Sequence, residues 1–339
     1  MKKKRLNKRQ LVRIRQSQEA HKSRRGDTQE GSSDTTLDTP EREGLVISHF
    51  GQQLDIEALD GEDAGSIHRC FQRSNLEPLV TGDRVIWQQG DPHGVVVALH
   101  ARRSLLQRPN KFNELKPVAA NIDRVVIVIA PLPEAHANLV DRYLVAAEVS
   151  GIRPLILLNK SDLLDLELHK PLIALLALYE KLGYTTLRTS CHNKQELVQL
   201  GNQLRDHTSV FVGQSGVGKS ALVNALLPEA GIREGSLSEA VVKGRHTTTS
   251  ARLYHLATGG QLIDSPGIRE FGLWHMEPSE LIQGFIEFQP FIGTCRFRDC
   301  QHLQMDECKL LQAARDGKID PRRLQSYQLI RNSMEFQFR

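Results

Sequence analysis

The sequence predicts a multidomain protein in which a small β-barrel precedes an α/β layer with a mostly parallel sheet and a mostly helical, metal-binding module. Three observations predict this order. Five short β-type runs lie within residues 44–108, strands and helices alternate through residues 118–274, and three cysteines and a histidine cluster within residues 275–339. A chain of 339 residues, 40% hydrophobic and 25% charged, is long enough for two or three soluble domains.

The composition argues against membrane and secreted classes. The longest apolar runs, residues 125–130 and 171–179, are too short to span a bilayer, and no apolar signal core follows the basic N-terminus. Three of the five cysteines lie in one short segment, which favours a metal site over a disulfide framework. We therefore expect a cytoplasmic protein without membrane contact.

Residues 1–43 begin with a cationic run and continue as a stretch rich in Ser, Thr, Asp and Glu. No apolar periodicity runs through this segment, so we predict a disordered basic arm. The net charge of +4 conceals the concentration of cations at one end, a distribution typical of arms that bind polyanions. A merely solubilising tail is the alternative.

The barrel is predicted from β-type runs that are separated by turn residues, at 45–48, 54–58, 67–72, 84–87 and 95–99. Five strands in so short a stretch indicate an OB-type barrel over residues 44–108, and such barrels bind nucleic acid along one face. The side chains available for charge and stacking are Arg69, Arg73, Arg84, Arg102, Arg103 and Trp87. A barrel that only packs against its neighbour is the alternative.

After a connector through Pro109 and Pro117, buried strands alternate with amphipathic helices, a rhythm that predicts a parallel α/β sheet. The strands are predicted at 124–130, 154–158, 185–189, 209–212, 251–257 and 261–264. The helices are predicted at 137–149, 166–182, 195–204 and 221–227.

A complete G-x-x-x-x-G-K-S phosphate loop stands between a strand and a helix of this domain. It reads Gly213-Gln214-Ser215-Gly216-Val217-Gly218-Lys219-Ser220. Its backbone N–H groups are expected to surround phosphate oxygens, while Lys219 reaches the outer phosphates, Ser220 ligates magnesium and Ala221 completes the binding set. A chance glycine loop is the alternative.

Base recognition is predicted from Asn159-Lys160-Ser161-Asp162, which follows the strand at 154–158. In an N-K-x-D element the Asp162 carboxylate accepts from the N1–H and the exocyclic amine of guanine, while Asn159 and Lys160 support the base and the loop. Adenine offers neither donor, and failure to pair a buried polar group reduces affinity by about 10⁴-fold or more. Alone, the tetrapeptide is equally a helix N-cap.

Two further elements complete the nucleotide set. Ser190 and Cys191 follow the next strand, where guanine-binding proteins place a main-chain N–H against the guanine O6. Asp264-Ser265-Pro266-Gly267 matches a D-x-x-G element, in which Asp264 holds magnesium through water and the Gly267 N–H contacts the γ-phosphate. An ordinary turn also favours Asp, Ser, Pro and Gly.

The loop containing Gly244-Arg245-His246-Thr247-Thr248-Thr249 is predicted to be a switch. Thr248 is expected to close over magnesium, although three threonines also suit the start of a strand. Ile268 occupies the position after Gly267 that holds a water-orienting glutamine in many GTPases. We therefore expect slow intrinsic hydrolysis and select His246 as the candidate catalytic residue, together with Lys219 and Thr248; an exposed loop role is the alternative for His246.

The order of these elements is unusual, because the base-recognition elements precede the phosphate loop, the threonine switch and the D-x-x-G element. An ordinary small GTPase begins with the phosphate loop. The sequence thus predicts a circularly permuted P-loop GTPase domain over residues 118–274, since such cuts are tolerated where termini are close and exposed.

The C-terminal segment offers Cys295, Cys300, His302 and Cys308, a closed tetrahedral ligand set for structural zinc. Buried free cysteines are the alternative. Flanking helices are predicted at 278–286, 306–314 and 321–336, the last with Asp320 as its N-cap. A basic surface is predicted from Arg296, Arg298, Lys309, Arg315, Lys318, Arg322 and Arg323.

The basic arm, the OB-like barrel, the permuted motif order and the Cys/His spacing together resemble the bacterial RsgA (YjeQ) family of small-ribosomal-subunit-dependent GTPases. The similarity extends from about residue 44 to the C-terminus. The resemblance implies hydrolysis of GTP to GDP and phosphate, stimulated by the 30S subunit during its late maturation, with 16S rRNA contacts from the barrel and the zinc module. We expect a monomer that carries one zinc and binds magnesium with GTP.

Two other functions are open at this point. One is a GTP-dependent translation factor that acts on mature ribosomes. The other is an RNA-binding protein whose nucleotide site is static. Stimulation by immature rather than mature subunits argues against the first, and any hydrolysis argues against the second.

Overall fold

The computed structural model describes residues 39–51, 53–109, 114–228, 251–264, 276–298, 300–303 and 307–335. The predicted basic arm lies outside these residues as far as residue 38. The chain divides into two compact units, one formed mainly by residues up to Leu105 and the other mainly by residues after Ile122.

The first unit contains a closed five-stranded barrel, as predicted. Its strands are β1 (Glu41–Phe50), β2 (Gln53–Ala58), β3 (Ile67–Gln72), β4 (Arg84–Gln88) and β5 (Gly94–Leu99). They pair in the order β1-β2-β3-β5-β4, and β4 returns to pair with β1. The pairs are antiparallel except for β3 and β5, which are parallel. Closure leaves the barrel without a free edge along its strands.

Trp87 lies in the barrel core with 0% of its surface exposed, packed against aliphatic side chains of the other strands. Its indole Nε1 donates to the carbonyl of Glu43 at 3.3 Å, and its ring lies 4.8 Å from that of His68. The prediction that Trp87 stacks on nucleic acid is therefore wrong. β4 is buried along nearly its whole length, which a simple inside–outside alternation does not anticipate.

Arg102 also binds a buried group of the first unit, the carboxylate of Asp83. Its Nε and Nη2 donate to the two carboxylate oxygens of Asp83, each at 2.7 Å, and Asp83 is fully buried. Burial raises the pKa of the Asp83 carboxyl, and Arg102 opposes that effect. Arg102 thus balances a buried charge, contrary to its predicted role as a nucleic-acid contact.

Two strands occupy the region predicted to be a connector. β6 (Leu105–Pro109) and β7 (Leu115–Ala120) form a separate two-stranded sheet. Pro117 removes one N–H donor from β7, and proline is tolerated in strands at the edge of a sheet.

The second unit is built on five parallel strands, β8 (Arg124–Ile129), β9 (Arg153–Leu158), β10 (Thr185–Arg188), β11 (Thr208–Val212) and β13 (Gln261–Asp264). Their order is β10-β9-β8-β11-β13. β12 (Arg252–His255) precedes β13, and between them the Leu256 N–H donates to the Gly260 carbonyl at 3.0 Å. Because the strands are parallel, their carboxyl ends and the loops that follow lie along one edge of the sheet.

Four helices connect these strands, α1 (Ala137–Val149), α2 (Lys170–Lys181), α3 (Lys194–Leu204) and α4 (Lys219–Leu226). α1 has the predicted bounds. α2 begins at Lys170 rather than at the predicted residue 166, because Pro171 lacks an N–H and is favoured in the first helical turn. Among the described residues, no helix has both the length and the apolar character needed to cross a membrane.

The C-terminal part of the second unit contains α5 (Pro278–Gln283), a 3₁₀ helix over Ile286–Phe291, α6 (Lys309–Arg315) and α7 (Pro321–Glu335). α5 ends earlier than predicted, at a cap formed by Gly284. A side chain at Gly284 would collide with Val145 of α1, so glycine allows the end of α5 to approach α1 closely.

A buried charge cluster ties α7 to α1. Arg323 and Asp141 are each 1% exposed and form a hydrogen-bonded ion pair. The Arg323 Nε and Nη2 also donate to Glu287 at 2.6 and 3.1 Å, and the guanidinium lies 4.4 Å from the centre of the Phe285 ring. Tyr179 donates its hydroxyl to Asp141 at 2.7 Å. The prediction that Arg323 belongs to a basic surface is therefore wrong.

Candidate functional site

The loop from Gly213 to Ser220 lies between the end of β11 and the start of α4. Gly213, Gly216 and Gly218 have φ values of 138°, 84° and 92°, which favour glycine. A side chain at Gly213 would also collide with the Val128 carbonyl. The glycines therefore allow the backbone to curl tightly at the edge of the sheet, as a phosphate-binding loop requires.

Lys219 and the start of α4 give this loop its positive character. The Lys219 Nζ donates to the carbonyls of Gly213 and Gln214, each at 2.7 Å, which holds the ammonium group across the loop. Ser220 and Ala221 follow in the first turn of α4, where backbone N–H groups and the helix dipole favour an anion. The arrangement suits a bound phosphate chain.

The N-K-S-D element is directly hydrogen-bonded to the phosphate loop. The Asn159 Nδ2 donates to the Val217 carbonyl at 2.8 Å, and Asn159 is 1% exposed. The Lys160 Nζ donates to the carbonyls of Gly216 and Leu132 at 2.7 and 2.8 Å. These hydrogen bonds join residues that are 58 and 56 positions apart in sequence, and they bring the N-K-S-D element and the phosphate loop together.

Asp162 presents an exposed carboxylate beside this junction, in a short 3₁₀ helix after β9. A hydrogen bond from the Ser190 side chain lowers the pKa of the Asp162 carboxyl, and the Lys160 ammonium group adds to the effect. Asp162, Ser190 and His192 line an open cleft of about 600 Å³. The ionised carboxylate is therefore available as a double acceptor for a base at this position.

Two of the remaining residues predicted to contact the nucleotide, Cys191 and Asp264, lie at or after the ends of strands. Cys191 is half-buried after β10, next to Ser190. Asp264 ends β13, whose register with β11 brings it to the edge of the sheet where the phosphate loop begins. His246, Thr248 and Gly267 lie outside the described residues. Ser220 and Asp264 offer oxygen ligands, the type that magnesium prefers.

The Cys/His segment forms a second candidate site. Its four ligand atoms all lie within 4.8 Å of one another. The His302 Nδ1 is 3.6 Å from the Sγ atoms of Cys295 and Cys300 and 3.2 Å from that of Cys308, and the Cys295 and Cys308 Sγ atoms are 3.8 Å apart. Tetrahedral zinc with bonds of about 2.3 Å to sulfur requires S···S separations of about 3.8 Å. The ligand set therefore fits a four-coordinate metal ion.

The surface of the barrel differs from the predicted one. Phe50, Ile67 and Phe71 are exposed by 40%, 51% and 38% of their surfaces. The Arg69 guanidinium lies 5.2 Å from the centre of the Phe50 ring, and His93 packs edge-on against Phe71 at 5.1 Å. Phe50 and Phe71, rather than Trp87, provide stacking surface. Ile67, Arg69 and Phe71 occupy alternate positions of β3 and therefore share its exposed face, and this spacing is the sequence signal that could have identified Phe71.

The C-terminal segment keeps most of its predicted basic surface. Six of the seven predicted cations are exposed: Arg296, Arg298, Lys309, Arg315, Lys318 and Arg322. Phe297 is 47% exposed, and the Arg296 guanidinium lies 5.6 Å from the centre of its ring. Cations beside an exposed ring suit contact with phosphates and bases.

Comparison with known proteins also indicates a GTPase. The family model described as RsgA GTPase matches residues 99–274. The small ribosomal subunit biogenesis GTPase RsgA of Pseudomonas fluorescens is 54% identical over 335 residues, which cover 97% of each chain. The protein of the same name from Pseudomonas putida is 57% identical over 292 residues, 86% of this chain and 85% of its own.

Solved structures show the same fold. YjeQ from Thermotoga maritima matches with a TM-score of 0.71 and 30% identity, over 88% of this chain and 100% of its own. YloQ, described as a circularly permuted GTPase, matches with a TM-score of 0.70 and 27% identity, over 90% and 99% of the two chains. The predicted permutation is thereby confirmed. The chain belongs to the RsgA family of GTPases, hydrolases that act on GTP.

Proposed function

We propose that this chain binds GTP at the joined loops and hydrolyses it to GDP and phosphate during late maturation of the small ribosomal subunit, which stimulates the reaction. The observation that carries the nucleotide site is the pair of hydrogen bonds from Asn159 to Val217 and from Lys160 to Gly216. The ribosomal role is supported by relatives named small ribosomal subunit biogenesis GTPase.

Each end of the nucleotide has its own set of groups. Asp162 accepts from the two guanine donors, and main-chain N–H at Ser190 and Cys191 meets the guanine O6. Lys219 and the first turn of α4 bind the outer phosphates, a position supported by the Lys219 hydrogen bonds across the loop. Recognition of base and phosphates by hydrogen-bonded neighbours fixes the distance between them, which favours a guanosine polyphosphate over either part alone.

Magnesium fits this site as the partner of GTP. Ser220, Asp264 and Thr248 would hold it, Asp264 through water, and it would neutralise charge on the phosphates. Gly267 donates its N–H toward the γ-phosphate. Asp264 ends β13, and Ser220 lies in the first turn of the helix after the loop that follows β11, the parallel neighbour of β13.

Hydrolysis requires a positioned water. Ile268 has no hydrogen-bonding side chain, so it cannot perform this role. His246 takes it instead, by accepting a hydrogen bond from the water or receiving its proton. Docking on the 30S subunit brings His246 to the γ-phosphate side and thereby assembles the catalytic site, which makes turnover dependent on the subunit.

The barrel and the C-terminal module contact 16S rRNA. Arg69 beside Phe50, and Arg296 beside Phe297, combine a cation with an exposed aromatic ring, as proteins that stack on unpaired bases do. One zinc ion held by the three cysteines and His302 stabilises the C-terminal module. The protein acts as a cytoplasmic monomer.

The test is GTP turnover by the purified full-length chain alone, with mature 30S subunits and with immature 30S particles. We expect slow turnover alone and stimulation of about 10²-fold or more by the subunit. A response to immature particles distinguishes maturation from a translation factor that requires mature ribosomes. Equal turnover in all three conditions would refute the proposal.

A further inference from the structure

The third residue of the N-K-S-D element makes a contact that its motif does not require. The Ser161 hydroxyl donates to the Glu196 Oε2 at 2.8 Å, between residues 35 positions apart. Glu196 lies in the first turn of α3, and both side chains are half-buried. The hydrogen bond therefore joins the loop after β9 to a helix of the same α/β layer.

Both ends of this contact are held by their surroundings. On one side, the Ser161 N–H donates to the Thr189 carbonyl at 3.0 Å, which fixes the backbone next to Asp162. On the other side, Asn193 caps α3 by accepting from the N–H groups of Gln195 and Glu196 at 3.0 and 3.3 Å. The side-chain bond is thus a cross-link between two ordered elements rather than a contact between mobile groups.

The loop needs such a cross-link because its backbone is strained. Lys160 has a φ of 57° in the left-handed region, which is unfavourable for a residue with a side chain. Only one residue separates it from Asp162. A small rotation in the Lys160-Ser161-Asp162 segment would move the carboxylate away from the guanine donors, and distances between hydrogen-bonding atoms tolerate changes of only a few tenths of an ångström.

We infer that Glu196 is a positioning residue for guanine recognition, acting through Ser161 to hold the Asp162 carboxylate in register with the base. The inference rests on the proposed guanine site. Glu196 lines the same cleft as Asp162, but its carboxylate is engaged by the Ser161 hydroxyl. Its contribution is therefore to selectivity between bases rather than to binding of phosphates.

Inosine diphosphate provides a readout that general loss of structure would not mimic. Hypoxanthine keeps the N1–H of guanine but lacks the exocyclic amine, so the ratio of the dissociation constants for IDP and GDP reports how well Asp162 is aligned with that amine. A displaced carboxylate weakens GDP more than IDP. A damaged fold or phosphate loop weakens both nucleotides equally.

The experiment is calorimetric titration of GDP and IDP into the full-length chain, with each variant checked for native circular dichroism. Glu196→Ala and Ser161→Ala should each weaken GDP by about three- to tenfold and reduce the IDP/GDP ratio, because a displaced Asp162 carboxylate loses part of its hydrogen bond to the guanine amine. The double variant should be no worse than either single one, because both remove the same bond. Glu196→Gln, whose amide oxygen still accepts from Ser161, should stay within about twofold of the parent.

Glu167→Ala is the matched control, because Glu167 follows the same loop but its side chain is 83% exposed and forms an ion pair with the exposed Lys170. It should change neither nucleotide. An unchanged ratio in Glu196→Ala, including equal weakening of GDP and IDP, would overturn the inference. Asp162→Asn distinguishes failure of the proposed guanine site from failure of the positioning role. If Asp162→Asn does not shift preference from GDP to xanthosine diphosphate, the base site is misassigned. If it does shift this preference while Glu196→Ala leaves the IDP/GDP ratio unchanged, only the positioning role of Glu196 is rejected.

Discussion

Arg323→Leu should destabilise the second unit strongly, because it leaves two carboxylates in the interior without their cation. Asp141 is 1% exposed and the Glu287 side chain 9% exposed, and both bind the same guanidinium. Burial alone would lower the pKa of Arg323, but the two carboxylates outweigh it and raise that pKa. The side chain is therefore charged at every pH at which the protein is folded.

The magnitude follows from the cost of breaking a buried ion pair from one side, about 3–5 kcal/mol. Arg323→Lys should cost less, since it keeps the charge but loses the planar fork that reaches Asp141 and Glu287 together. Arg322→Leu is the matched control at the neighbouring position. Arg322 pairs with Asp320 at 2.9 Å, with side chains 44% and 26% exposed, so its loss should cost no more than about 1 kcal/mol.

Urea unfolding followed by the helical circular dichroism signal measures this difference, because the described helices all lie in the second unit. With an m-value near 3 kcal/mol/M, the Arg323→Leu midpoint should fall by about 1–2 M with an unchanged slope. A midpoint equal to that of Arg322→Leu would refute the reasoning that the cluster holds α7 against α1.

Three further predictions concern other parts of the molecule. Cys308→Ser should reduce metal content from one zinc per chain to nearly none and increase hydrogen exchange in α6 and α7, while calorimetry still detects GDP binding; full metal content would contradict the ligand set. His246→Ala should keep GTP and 30S binding but lose about 10²-fold or more of the 30S-stimulated turnover, and stimulation equal to the parent would exclude His246. Arg102→Leu should destabilise the barrel by about 3–5 kcal/mol in urea, because it leaves the buried Asp83 carboxylate without its cation, whereas Arg84→Leu, at the exposed first position of β4, should change stability by less than about 1 kcal/mol; equal effects would contradict these assignments.

Features coded by neighbouring residues could be predicted from the sequence. Ala137–Val149 and Gln261–Asp264 have the predicted bounds, because each has a clear apolar pattern bordered by polar or turn residues. The phosphate loop is equally local, since its glycine positions and its lysine follow one another within eight residues. Such patterns need no knowledge of tertiary contacts.

Features that depend on distant partners could not be predicted. Arg323 resembles its exposed neighbours in sequence, and its partner Asp141 lies 182 residues away. Trp87 lies three residues after the exposed Arg84, in a strand whose inner and outer residues do not simply alternate. The bond between Ser161 and Glu196 likewise follows no motif, because it depends on the placement of α3 beside the loop.

The most direct test of the central claim combines base recognition with subunit-stimulated hydrolysis in one measurement. Asp162→Asn replaces the acceptor for guanine donors with an amide that can donate to the C2 carbonyl of xanthine. Turnover of GTP and of xanthosine triphosphate is measured for this variant and the parent, with and without 30S subunits. We predict that 30S stimulation follows GTP in the parent and xanthosine triphosphate in the variant, which also excludes a contaminating GTPase. Stimulated GTP turnover that is unchanged in the variant would contradict the claim that the nucleotide recognised by Asp162 is the one that is hydrolysed.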